Sequence, residues 1–72
     1  MTPLSDIQTG RKVQLVAIDG GQIVTRRLTA MGMLPHSELE VVRNDHPGPF
    51  IVRVRGTRIA LGRGFARKIM VK

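Results

Sequence analysis

Apolar and polar residues alternate along most of this chain, and the places where the alternation breaks mark out its elements. From Lys12 to Asp19, Val13, Leu15 and Ala17 alternate with Gln14, Val16 and Ile18, which predicts a strand with one apolar face, ended by Gly20-Gly21. From Gln22 to Met31 the period lengthens. Val24, Leu28 and Met31 recur at helical spacing with Ile23 alongside, and Thr25, Arg26 and Thr29 take the other side. An amphipathic helix is expected there, closed by Gly32 just past its last periodic residue and barred from continuing by Pro35. Glu38–Asn44 and Phe50–Arg55 alternate again, with Leu39, Val41, Phe50, Val52 and Val54 inward, as two antiparallel partners. Their connection, Asp45-His46-Pro47-Gly48-Pro49, is rich in turn formers and belongs outside the sheet.

The two ends of the chain follow the same logic. Gly56-Thr57 predicts a two-residue type II′ hairpin leading into a strand over Arg58–Leu61. Gly62 to Arg67 reads as a bend or single helical turn, and Ile69 and Val71 form a last short strand. At the start, Leu4 and Ile7 flank Ser5-Asp6 as a short helical turn with a capped beginning, before Thr9-Gly10 breaks the chain. Five short strands with one inserted helix predict a mainly β fold. A sheet this small hides its edges best by curling into an SH3-like barrel.

Composition narrows the function classes. A chain of 72 residues has room for one domain, residues 1–72, because it buries only about 60% of the surface its unfolded form exposes. Cysteine is absent, so packing alone must stabilise the core and no thiolate can hold a metal. Apolar runs such as Leu15-Val16-Ala17-Ile18 fall far short of the roughly 20 residues that cross a bilayer. The opening Met1-Thr2-Pro3-Leu4-Ser5-Asp6 lacks the pattern of a secretory signal, which makes a cytoplasmic location the expectation. A formal net charge of +7 favours nucleic acid, anionic lipid or an acidic protein face as partner. With two Phe, no Tyr and no Trp, all in apolar patterns, the chain lacks a base-stacking platform, so no nucleic acid is expected.

Three constellations could carry chemistry, and each has a plainer alternative. His36, Glu38 and Glu40 could share one side of an extended segment and ligate a divalent metal, but a single His with exposed Glu is ordinary barrel surface. Gly62 and Gly64 lack the third glycine of a dinucleotide loop and better suit a barrel corner. Ser5 and Ser37 have no neighbouring base in the sequence pattern. The expectation is a protein with no catalytic residue, no cofactor and no metal of its own. The loop Met33-Leu34-Pro35, beside Arg26 and Arg27, is the candidate partner contact: its apolar tip either anchors a partner or covers one end of the barrel.

The order of motifs is itself informative. Leu4-Ser5-Asp6, Gly10 and Gly20-Gly21 are followed by Arg26-Arg27-Leu28, then Met31-Gly32 and Pro35, and finally Ile59-Ala60-Leu61-Gly62-Arg63 with Ala66. Together these resemble the FeoA family over nearly the whole chain. The resemblance implies an SH3-like fold and a supporting role in ferrous-iron uptake beside FeoB, a membrane transporter that joins a cytoplasmic GTPase domain to an iron permease. It also implies kinship with the C-terminal domain of iron- and manganese-responsive repressors, whose helical DNA-binding and dimerisation regions are missing from this chain. One departure is His36, where the family often has glycine after the loop proline; if that position needs a positive φ, histidine is among the better tolerated replacements. With a GTPase as partner, Arg26 or Arg27 could serve as an arginine finger, although basic residues on a surface helix are commonly just solvated. Peripheral attachment to anionic lipid would assist the same role. A basic, nucleic-acid-binding small barrel is the alternative, and oligomeric state is left open.

Overall fold

Why strands of two to seven residues suffice here is visible in how they share one core. The computed structural model describes residues 1–45 and 47–72; His46, expected to play no chemical part in the Pro-rich connection, lies outside the described residues. The elements run β1 (Thr2–Pro3), a 3-10 turn (Leu4–Asp6), β2 (Lys12–Ile18), α1 (Gly21–Ala30), β3 (Glu38–Asn44), β4 (Phe50–Val54), β5 (Thr57–Leu61), α2 (Arg63–Ala66) and β6 (Ile69–Val71). One antiparallel sheet contains every strand in the order β1-β6-β2-β3-β4-β5. Its concave side buries Val13 and Leu15 of β2, Leu39 and Val41 of β3, Phe50, Val52 and Val54 of β4, and Ile69 and Val71 of β6. The sheet curls around this core, and among the described residues no hydrogen-bonded pairing joins its two edge strands, β1 and β5.

Among the described residues six strands are present instead of five. The added β1 pairs Thr2 with Val71 and Pro3 with Met70. Two residues, one of them proline, carry no alternation to read, and this strand exists because β6 offers it an edge. The turn after it is held by the Leu4 side chain, fully buried, with no side-chain cap at its start.

In β2 the inward face changes partway. The pairing with β6 shifts between Leu15 and Ala17, leaving Val16 as an extra residue. Such a bulge reverses the side-chain phase, so Ala17 is exposed and Ile18 packs on the core, the opposite of the uninterrupted alternation. The same bulge bends β2, whose first half pairs with β3 and whose second half pairs with β6. The β4–β5 hairpin also differs from the expected type II′ turn on Gly56-Thr57. Val54 pairs with Thr57, and Arg55 and Gly56 form the loop with φ 53 and φ 78. Positive φ at both central residues makes it a type I′ turn, whose twist suits a tight hairpin.

Helix α1 packs on the barrel through a narrow seam. Leu28 is 1% exposed and Val24 is half-buried, whereas Ile23, expected on the same side, is 77% exposed. Burying Leu28 contributes about 1.5–3 kcal/mol of docking. The helix ends in a Schellman motif: Gly32 (φ 95) donates its N–H to the Thr29 carbonyl and Met33 donates to that of Leu28. At the opposite end of the molecule, Asn44 ties three segments together. Its Nδ2 donates to the carbonyls of Ser5 at 3.0 Å and Ile7 at 2.7 Å, and its Oδ1 accepts from Arg63 Nη1 at 2.8 Å.

Candidate functional site

The five residues expected to form one contact surface separate in the structure. Met33 is 0% exposed and belongs to the core, which corrects its placement on an exposed loop tip. The cause is the Schellman motif, which places the residue after the helix-ending glycine against the last turn of the helix, and here that is Met33 against Leu28. Leu34 is half-buried and Pro35 exposed. Arg26 and Arg27 are both exposed, but adjacent helix positions diverge by about 100°, so they face different surroundings. Arg26 lies along a shallow depression with Ile18, Gly21, Thr25 and Thr29, and Arg27 lines a cleft with Met31 and Phe65.

That second cleft was not predicted from the sequence. It runs between α1, β5 and α2, encloses about 420 Å³, and is lined by Arg27, Leu28, Ala30 and Met31 on one side and Ala60, Leu61, Gly62 and Phe65 on the other. Its lining is apolar except for one guanidinium. Met31 and Phe65 each sit beside a helix end, where a sequence pattern shows only that they are apolar; that they line one cleft beside β5 depends on the tertiary fold.

A polar groove lies elsewhere, bounded by Lys12, Pro35, His36, Glu38, Glu40 and Arg53. It brings together the three residues considered as metal ligands, and one of them, Glu40, is already engaged by cations. Glu40 stands between Lys12 and Arg53 in the cross-strand register and receives a 2.5 Å hydrogen bond from Arg53 Nη1. Among the described residues no group of three His, Cys, Asp or Glu comes close enough to hold a metal ion.

His36 itself has a structural task. Leu34-Pro35-His36-Ser37 forms a turn in which Ser37 N–H donates to the Leu34 carbonyl, and His36 has φ 70. Proline second and a positive φ third define a type II turn, whose third position favours glycine. The expectation attached to this position therefore holds: a left-handed conformation is required there, and histidine occupies it. A non-glycine residue in this region costs about 1–2 kcal/mol. Replacing His36 with Gly is expected to raise stability by up to about 1 kcal/mol, part of the gain being lost to unfolded-chain entropy. His36→Val should lower stability by about 1–2 kcal/mol, because a β-branched residue tolerates this φ least. Urea titration of both variants measures the pair; equal stabilities would mean the turn relaxes to accept either residue.

Arg63 shows why an arginine follows the glycine of the Ile59-Ala60-Leu61-Gly62 segment. It is half-buried, with its carbon over the Phe50 ring at 5.9 Å, and its Nη2 donates to the Asp45 carbonyl at 2.8 Å while Nη1 reaches Asn44. It closes the base of the β3–β4 connection onto α2, a structural role that leaves it unavailable as a partner contact.

With that geometry in view, the family comparison is decisive. The FeoA domain model matches residues 2–72. The chain belongs to the FeoA domain family. A protein of Methanocaldococcus jannaschii assigned as Fe(2+) transport protein A is 43% identical over 72 residues, all of this chain and 87% of that protein. Among solved structures, the crystal structure of an FeoA described as an iron uptake regulatory protein superposes with a TM-score of 0.89 at 37% identity, covering 99% of this chain and 93% of that one. The Stenotrophomonas maltophilia FeoA, solved with zinc and described as an SH3 domain protein, gives 0.84 at 26% identity and covers 100% and 89%. The mainly β, SH3-like fold is thus shared by this FeoA-family chain and its relatives.

The charge layout of the FeoA-family chain sharpens the picture of its surface. All five carboxylates lie in Asp6, Asp19, Glu38, Glu40 and Asp45, while residues 46–72 carry seven Lys and Arg and no Asp or Glu. Helix α1 adds Arg26 and Arg27, again without an acid. The α1–β5–α2 cleft is therefore bordered only by positive charge.

Proposed function

We propose that this chain is a cytoplasmic accessory of ferrous-iron uptake that acts by binding the cytoplasmic part of a FeoB-type membrane transporter, with no catalysis of its own. The observation that carries the reading is membership of the FeoA family over residues 2–72. The description of the Stenotrophomonas maltophilia relative as a proposed ferrous-iron transport activating factor supports it from outside. The surface supports it from within, since an apolar cleft edged by Arg27 suits a protein partner with apolar and acidic groups. No helix among the described residues is long and apolar enough to cross a membrane, so a separate transporter would supply the permeation path.

The test is capture of a detergent-solubilised FeoB-type transporter on the immobilised chain, with and without guanine nucleotide. Retention that Arg27→Glu weakens without changing the folded spectrum is the expected result; no retention under any nucleotide condition defeats the reading. The net charge of +7 favours one other partner class, nucleic acid. Phosphate-driven binding would weaken steeply with salt, log K falling linearly with log salt concentration. No mobility shift of single-stranded RNA or DNA is expected even at low salt.

A further inference from the structure

Strand β5 ends the sheet, and among the described residues its outer edge has no partner strand. In the hairpin, Val54 faces Thr57 next to the two-residue loop, so the pairs Val54–Thr57, Val52–Ile59 and Phe50–Leu61 exchange the ladder hydrogen bonds. The N–H and C=O groups of Arg58 and Ala60 accordingly point away from β4, and among the described residues no loop or turn hydrogen bond reaches them. An edge of this kind is a template for another strand.

Two depressions flank this edge and both include Ala60. On the helical side lies the apolar cleft of Met31, Leu61 and Phe65. On the outer face lies a shelf where Val42 and Ile51 sit beside Arg43 and Arg58. A strand laid along β5 would send successive side chains alternately to these two sides. Its apolar residues would fill the cleft and its other residues would meet Arg58. The shelf also includes Asp45, which pairs with Arg43 at 3.5 Å. Arg58 is exposed, stands opposite the Glu40-paired Arg53, and forms no ion pair of its own among the described residues. Like charges opposed across a sheet are unfavourable, and an incoming acid relieves them.

We infer that the free edge of β5 is a strand-addition site for an extended peptide segment in which apolar residues alternate with Asp or Glu. Arg58 acts as the selector: a charged residue on an edge strand repels basic or neutral strands from unspecific pairing and accepts acidic ones. A second copy of this chain is disfavoured as occupant, since each copy carries +7 and β5 has no acidic residue. The inference rests on the reading that the chain docks on a partner protein, and names the segment such a partner would present.

The probe is a capped peptide of roughly eight residues alternating valine and glutamate, compared with its lysine counterpart. Titrated into the isotopically labelled chain, the glutamate peptide should shift the amides of Arg58 and Ala60 and slow their hydrogen exchange, with the lysine peptide inert. Arg58→Glu, a substitution at an exposed site, should exchange the two preferences. Ala60→Pro removes the outward N–H while leaving the β4 ladder intact, and should weaken the peptide roughly tenfold, the effect of about one backbone hydrogen bond. Equal binding of both peptides, shifts confined to other strands, or dimerisation of the chain through β5 without peptide would overturn the inference. The transporter capture separates it from the functional proposal. If Ala60→Pro still captures transporter as the unmodified chain does, the edge is not the docking site and only this inference falls. If the peptides behave as stated and no transporter is captured, the edge stands and the identity of the partner falls.

Discussion

Asn44→Ala is expected to lower the unfolding free energy by about 2–4 kcal/mol, a large share of the total for a chain this size. A domain of 72 residues has roughly 4–11 kcal/mol of stability altogether. The substitution removes two donors from the Ser5 and Ile7 carbonyls and the acceptor that Arg63 uses. Each neutral bond contributes about 1 kcal/mol net, and the one to the guanidinium about 1.5–3 kcal/mol. Water reaches these part-buried groups and recovers some of that sum, which keeps the estimate below the simple total. The backbone bond from Asn44 N–H to Thr9 Oγ1 survives, so the loss belongs to the side chain. Asn44→Asp provides the control: it keeps an acceptor for Arg63 but faces two carbonyls without a donor, and should fall between the two. Chemical denaturation with far-UV detection measures all three proteins; a loss under about 0.5 kcal/mol for alanine would show that water replaces the tie completely.

Met33→Asp has a larger expected effect: an unfolded chain at neutral pH. The Met33 side chain is fully enclosed, and an ionised carboxylate in such a place costs several kcal/mol. The sign with pH follows from burial. The new carboxyl would have a folded pKa raised above its unfolded value of about 3.9, so the penalty is full above the folded pKa and shrinks as pH falls through it. Partial recovery of structure on mild acidification is therefore expected. Pro35→Asp, at an exposed site in the same loop, should lower stability by only about 1 kcal/mol, the loss of the φ that proline presets in the type II turn, and stay folded. Amide-shift dispersion distinguishes the outcomes, and a folded Met33→Asp chain with native dispersion at pH 7 would mean that this loop leaves the barrel freely.

Met33 also illustrates how far the linear pattern carries. Its glycine neighbour correctly marked the helix end, and the Schellman rule that follows from that glycine assigns Met33 an apolar contact with the last helical turn. Of the two readings open for Met33, partner anchor or cover for one end of the barrel, the motif favours the second, and the side chain is fully buried. His36 is the reverse case, where a conformational requirement was legible from the proline before it and the structure meets it with φ 70. Ile23 and Ala17 went astray for a shared reason: periodicity predicts a face, but a narrow helix seam and a one-residue bulge shift where that face ends.

Alternation and glycine placement by themselves determined the strands β2 to β6, the helix and its end, because side-chain periods of 2 and 3.6 and the steric limits on φ act within a few residues. The family was legible in the same way, from motifs whose glycines and apolar positions are local. Only the tertiary structure decided that β1 exists, that Arg63 and Asn44 tie the base of the barrel, and that Met31 and Phe65 line one cleft beside the unpaired edge of β5. These depend on contacts between residues far apart in the chain, where the curl of the sheet sets the distance and no repeating pattern records it.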